Sequence, residues 1–231
     1  MTYRWDVPGY DVVFSTRVGG VSEGAFSSLN LGKLTLDSQE HVDENRRRLC
    51  EEVGADPAKL TLNRQQHSAV VNRARERSRG EPGDGLWTDE AGVPMLKLTA
   101  DCVPIALARQ DQPALAVLHA GWRGLLEGIV EAGASVLGGS LRAAVGPGIG
   151  PCCYEVGPEV SEPFRLRFGS DIVQNRMLDL WTAAERALRE AGVTMVERFD
   201  LCTSCKPELF FSHRRDDGVT GRQGVIGVVA G

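Results

Sequence analysis

At 231 residues, with 42% hydrophobic and 25% charged side chains, the chain suits one compact domain spanning 1–231 and burying a substantial core. Its net charge of −5 argues against a broad basic face for nucleic acid, and no segment nears the roughly 18–20 apolar residues that cross a bilayer. The opening Met-Thr-Tyr-Arg-Trp-Asp-Val-Pro lacks the apolar core of a secretion signal, so the six cysteines read as reduced thiols and the expected location is cytoplasmic.

The first predicted element is a helix capped by Asp37 or Ser38, with Glu40 in its first turn and Val42, Leu49 and Val53 on one side; Gly54 stops it. Residues 73–84 form the most polar stretch and read as an exposed loop. Three short apolar runs, 95–98, 105–108 and 115–118, are bounded by Pro, Gly or polar clusters, as buried strands are. A second helix over 125–137 ends at Gly138-Gly139, and a strand over 141–145 runs into Gly146-Pro-Gly-Ile-Gly-Pro. That phrase is followed by Cys-Cys-Tyr where a dinucleotide loop would open a helix, so it reads as a turn lining a pocket. Helices over 158–168 and 178–191 follow, the latter with Leu180, Trp181, Ala184, Leu188 and Ala191 at helical spacing. Strands and helices alternate without a strict βαβ rhythm. The expected fold is α/β (or α+β), with mixed β-sheets flanked by helices.

Chemistry concentrates at His67 in Arg-Gln-Gln-His-Ser, Cys102 in Thr-Ala-Asp-Cys-Val-Pro and His119 in His-Ala-Gly-Trp-Arg-Gly. Their separations of 35 and 17 residues are too wide for a zinc finger, whose ligands come in close pairs. Three such ligands from separate segments suit a zinc ion with one position open. Cys102 and His119 fall at strand ends, where a sheet can position them, and Ala120, Gly121 and Gly124 leave room beside them. A single buried His or Cys is more often core packing than a ligand; the signal lies in the set of three. His41 reads as a solvated helix residue and His213 as a surface or substrate-side group. Cys202-Thr-Ser-Cys205 has the spacing of a zinc knuckle but lacks a clean second pair. Adjacent Cys152 and Cys153 look poorly arranged to share one ion, so no second zinc site is expected. Twenty-two arginines against four lysines reflect compositional bias and permit a phosphate site without showing one.

These phrases resemble the laccase-domain, or YfiH-like, family, once called multicopper polyphenol oxidases and now viewed as purine nucleoside phosphorylases. The resemblance runs from Phe14-Ser-Thr-Arg-Val-Gly-Gly-Val-Ser and Leu29-Asn-Leu-Gly through Glu44-Asn-Arg to the three ligand phrases. It continues with Gly146-Pro-Gly-Ile-Gly-Pro-Cys-Cys-Tyr-Glu-Val, Asp200-Leu-Cys-Thr and Phe210-Phe-Ser-His-Arg-Arg. It implies that His67, Cys102 and His119 are metal ligands and catalytic residues. One departure is visible: Gln65-Gln66-His67-Ser68 stands where the family usually has Gln-Val-His-Gly. Arg17, Arg46 and Arg123 lie inside family phrases and are candidates for phosphate, each with a structural ion pair as the competing role. Asn30 either meets substrate or fixes a turn, and Asp101 is a candidate to orient Cys102.

The implied activity is zinc-dependent phosphorolysis of adenosine, inosine or related nucleosides, methylthioadenosine included, with adenosine deamination as a companion activity. Phosphate would attack the anomeric carbon while the purine leaves, which calls for arginine forks at the phosphate and charge stabilisation at the base. The deaminase signature His-x-Glu with Pro-Cys-x-x-Cys is absent. Two rivals stand beside this reading. One is a cysteine hydrolase or deamidase with Cys102 as nucleophile and His119 as its base. The other is a copper-dependent polyphenol oxidoreductase, disfavoured because four histidines are too few for several copper ions. Oligomeric state and the preferred nucleoside are left open.

Overall fold

Two apolar runs dictate the centre of the molecule. Val-Pro-Ile-Ala-Leu-Ala from Val103 and Leu-Ala-Val-Leu-His-Ala from Leu115 leave neither strand a polar face, so both faces of each must be covered. The computed structural model describes residues 2–76 and 78–231; Met1 and Arg77, which belong to the expected domain and the expected 73–84 loop, lie outside the described residues.

The strands in chain order are β1 (Thr2–Trp5), β2 (Tyr10–Ser15), β3 (Leu62–Arg64), β4 (Val71–Arg73), β5 (Arg79–Pro82), β6 (Gly85–Thr88) and β7 (Met95–Thr99). There follow β8 (Val103–Arg109), β9 (Leu115–Ala120), β10 (Leu141–Val145), β11 (Val173–Gln174), β12 (Met177–Leu178), β13 (Met195–Arg198) and β14 (Gln223–Val229). The helices are α1 (Gln39–Glu52), α2 (Trp122–Glu127), α3 (Ile129–Leu137), α4 (Pro158–Phe168) and α5 (Leu180–Glu190). A six-stranded mixed sheet has the order β13-β10-β8-β9-β6-β4, and a four-stranded antiparallel sheet the order β1-β2-β14-β7.

Period-two alternation sorts the central side chains between two cores. Ile105, Leu107, Ala116, Leu118, Ala143 and Val145 face helices α3, α4 and α5, where Ile129, Phe164, Trp181 and Leu188 fill the space. Ala106, Ala108, Leu115, Val117 and Ala144 face the other way, onto Val12, Phe14, Met95 and Val225 of the four-stranded sheet. The outer face of that sheet, through Val13, Leu96, Ile226 and Val228, packs on Leu49 and Cys50 of α1 and on Val53 just past its end. The layers therefore run helices, large sheet, small sheet, helix. Truncating a central residue such as Leu118 to Ala should cost about 2–5 kcal/mol.

The mixed α/β architecture matches the expectation, and the 158–168 helix and 141–145 strand appear as read. Ser38 caps α1, its hydroxyl accepting from the His41 N–H. The single helix expected over 125–137 is instead two, because Gly128 takes a left-handed φ of +91° that ends α2 and starts α3. The last helix starts two residues later than expected, at Leu180, where the Asp179 carboxylate accepts from Thr182 N–H and residues 177–178 pair as a strand. The polar 73–84 stretch is also not wholly exposed loop: β5 pairs with β3, and Asp84 is completely buried.

Candidate metal centre

The site is organised around Asp84. Its carboxylate accepts the backbone N–H groups of Gln66, His67 and Ser68 at 2.9, 3.0 and 2.8 Å, the Ser68 hydroxyl at 2.8 Å and His119 Nδ1 at 2.8 Å. Its backbone carbonyl accepts the His119 N–H at 2.8 Å as well. Burial opposes the Asp84 charge, but these donors overcome it and hold the carboxyl below the usual range. An ionised carboxylate only accepts, so Nδ1 of His119 carries the proton and Nε2 offers its lone pair. Burial also pushes the His119 imidazole down, favouring the neutral ring that a metal requires.

The chain curling over Asp84 places His67 at φ +62°, a left-handed backbone held by the three N–H contacts. Cys102 lies in the short turn between β7 and β8, where Asp101 has φ +89°. The ligand atoms of His67, Cys102 and His119 all lie within 4.8 Å of one another, with Cys102 Sγ 3.9 Å from His67 Nε2. A Cβ at Gly121 would sit 3.0 Å from both Cys102 Sγ and His67 Cδ2, so a residue without a side chain is what lets the ligands close. Two imidazoles and one thiol, one imidazole oriented by a carboxylate, fit a single zinc or copper ion with an open position.

This cluster sits in the wall of a cavity of about 710 Å³, within the size range of small-molecule clefts. Apolar walls come from Leu62, Leu98 and Ile149, with Tyr154 beside them. Arg46, Arg64, Arg79, Arg214 and Arg222 make the lining strongly basic. Arg46 directs Nε and Nη2 to the Leu31 carbonyl; burial, with Arg79 nearby, lowers its guanidinium to about 10 despite Asp43. Holding two cations together against their repulsion is what an anion site requires.

The other expected substrate contacts fall elsewhere. Arg17 donates to the carbonyls of Ser27 and Pro207 and stacks over Phe211, outside the cavity lining. Asn30 is fully buried: its amide donates to Thr35 and Asp37 and its oxygen accepts from the N–H of Gly32 and Arg222, so it fixes a turn. Arg123 is exposed, lies over Trp122 and is not part of the lining. The Asp101 carboxylate accepts from the Thr203 hydroxyl at 2.6 Å and the Arg214 N–H at 2.7 Å. His213 is exposed at the cavity wall, and His41 is partly exposed, 3.6 Å from Asp37. The Gly146 phrase lines the cavity through Ile149.

Asp84, Lys97 and Arg222 have no counterpart in the sequence reading. Asp84-Gly85 closing a polar loop just before an apolar strand was the available signal for the first. Lys97 is fully buried, with Nζ on Asn63 Oδ1 and the Gly83 carbonyl; burial lowers its ammonium to about 7, Asp84 opposing. Four further thiols also meet: Cys152, Cys153, Cys202 and Cys205 lie within 4.8 Å of one another, against the expectation that the adjacent pair is poorly placed. The tight turn over 151–153 aims both sulfurs the same way.

Residues 11–229 match the family model described as multi-copper polyphenol oxidoreductase laccase, and the chain belongs to that family. It is 36% identical over 235 residues to the purine nucleoside phosphorylase YlmD of Geobacillus stearothermophilus, covering 90% of this chain and 86% of the relative. It is 35% identical over 230 residues to the purine nucleoside phosphorylase YfiH of Escherichia coli K12, covering 95% and 94%. The crystal structure of the Geobacillus stearothermophilus YlmD superposes with a TM-score of 0.89 at 32% identity, covering 100% of this chain and 96% of that one.

Proposed function

We propose that this chain is a zinc-dependent purine nucleoside phosphorylase, with residues 1–231 acting as one catalytic domain. The observation that carries the reading is the convergence of His67, Cys102 and His119 in a cavity whose lining is basic and otherwise apolar. The names of the relatives point the same way. Bound zinc would supply Lewis-acid stabilisation of charge on the departing purine. The protein's own part is positional. Asp84 keeps His119 in one tautomer and, through three backbone N–H contacts, keeps His67 beside it. Arg46 and Arg222 line the cavity and hold phosphate; backbone carbonyls anchor them there, Leu31 through Nε and Nη2 of Arg46 and Thr220 through Nη1 of Arg222. Leu98, Ile149 and Tyr154 form the surface on which purine and ribose rest, and exclude water there. Burial pushes the Tyr154 hydroxyl up to about 12, Cys102 contributing, so it stays protonated and able to donate to substrate.

The cysteine-hydrolase alternative fits less well. Burial, then Asp101 and Asp84, push the Cys102 thiol up to about 12, which makes a poor nucleophile without an ion to take its charge. Adenosine deamination in the same cavity belongs to the proposal as a secondary activity, and a cytoplasmic location belongs to it as well. Among the described residues no helix is long and apolar enough to cross a membrane. The test is product analysis with adenosine and inosine, each with and without phosphate, on metal-free and zinc-reloaded protein. Free base and ribose 1-phosphate appearing only with phosphate and zinc are expected; base release indifferent to phosphate, or ammonia release with no free base at all, would replace this reading.

A further inference from the structure

From the second thiol cluster we infer that this protein holds another zinc ion, bound by Cys152, Cys153, Cys202 and Cys205. The four sulfurs lie within 4.8 Å of one another, with Cys205 at 3.4 Å from Cys152 and 3.3 Å from Cys153. A tetrahedron with Zn–S bonds of about 2.3 Å has sulfurs about 3.8 Å apart, so the cluster is already the size of one ion. An iron–sulfur cluster spreads its thiolates wider, because iron and sulfide lie between them.

The backbone around the cluster is built as two knuckles. Cys202 sits in a bridge to Gly148 and begins the turn that carries Cys205; Cys152 and Cys153 share the turn after Gly150. The Gly150 N–H donates to Cys202 Sγ at 3.3 Å, a contact that stabilises sulfur carrying negative charge. The Arg215 guanidinium, itself paired with Asp216, donates to the Thr203 carbonyl at 2.8 Å and fixes the turn that carries Cys205. Binding releases the thiol protons to solvent, and the sulfurs supply all the bonds the ion needs.

The position gives the ion a task. It would pin the 146–154 segment, which brings Ile149 and Tyr154 to the cavity, onto the 202–215 segment, which brings His213 and Arg214. Thr203, next to Cys202, holds Asp101 beside the ligand Cys102. The second ion is thus a structural clamp on the cavity wall, separate from the chemistry at His67, Cys102 and His119.

The experiment is zinc analysis of the full chain purified under reducing conditions. Wild type should hold about two zinc ions per chain, and Cys102→Ser and the double variant Cys152→Ser/Cys205→Ser about one each. Cobalt loaded into Cys102→Ser should show the sulfur-to-metal charge transfer and intense visible bands of a tetrahedral thiolate site. In zinc-loaded wild type, iodoacetamide should label Cys152 and Cys205 only after chelation, a readout that does not depend on any variant folding. Rapid labelling of those exposed thiols in the loaded protein overturns the inference. So does a Cys102→Ser chain that holds no zinc while its cysteines titrate as reduced, or a native disulfide within the cluster. A Cys102→Ser chain with one zinc, from a wild type that cleaves no nucleoside, sinks the proposed activity and leaves this site standing.

Discussion

Replacing Asp84 with Asn tests the arrangement at its centre. The carboxylate accepts five donors through two oxygens: Oδ1 takes His67 N–H and His119 Nδ1, while Oδ2 takes Gln66 N–H, Ser68 N–H and the Ser68 hydroxyl. An amide must put its NH2 group at one of these places. At Oδ2 it meets two backbone donors and breaks the turn that carries His67. At Oδ1 it meets the His67 N–H, and it can donate to His119 Nδ1 only if the imidazole proton moves to Nε2, the atom facing the ligand cluster. Either outcome loses two charge-assisted hydrogen bonds, each worth about 1.5–3 kcal/mol, so destabilisation of roughly 3–6 kcal/mol is expected. Loss of a carboxylate that orients a ligating histidine costs metal affinity about 10–100-fold, or about 1.4–2.8 kcal/mol. Denaturant melts of the metal-free protein read the first quantity, and competition with a chromogenic chelator reads the second. There is also a pH signature. Because folding holds the Asp84 carboxyl below its usual range, its contribution is present above that range and is lost as the solution is acidified through and below it. The variant should lack that acid-dependent component. An Asp84→Asn protein with wild-type midpoint and wild-type zinc affinity would refute the reasoning, since no placement of the amide satisfies all five donors.

Three further outcomes follow from the same geometry. Arg46→Lys and Arg222→Lys should raise KM for phosphate more than KM for nucleoside, whereas Arg17→Lys should leave both unchanged and cost about 1–2 kcal/mol of stability through its two carbonyl contacts; steady-state kinetics with each substrate varied, plus a melt, decides. Lys97 has a folded pKa of about 7, below its unfolded value, so the unfolded chain holds an extra proton above that pH. Wild-type stability should therefore climb by up to about 1.4 kcal/mol per pH unit from roughly pH 7 to 10, and Lys97→Met should flatten that slope; equal slopes in the two proteins would contradict it. Gly121→Ala should keep the fold but weaken zinc binding severalfold, because its Cβ would press on Cys102 Sγ and His67 Cδ2; unchanged affinity in the chelator competition would show that the ligands have room to spare.

What the sequence by itself determined was local or chemically singular. The runs around Val103 and Leu115 are apolar without alternation, and only a strand covered on both faces accommodates them, so the central sheet was legible. His67, Cys102 and His119 stood out because their phrases are unusual, and the structure gathers them. The first and last strands were not legible: β14 carries two glycines, which argue locally against a strand, and it belongs to the sheet only because β2 and β7 flank it. Gly128 split a helix that continuous periodicity had joined, since a left-handed φ leaves no trace in an apolar pattern. Charged residues were the least readable of all. Asp84 and Lys97 are surface types by composition, and Arg17 and Arg46 look equivalent along the chain. Which of them is buried, and which lines a cavity, depends on segments brought together from far apart. The four cysteines make the point most sharply. Two adjacent thiols seem unable to share an ion until a turn at 151–153 meets another at 203–205, and that meeting is a product of long-range packing, where spacing along the chain carries no information.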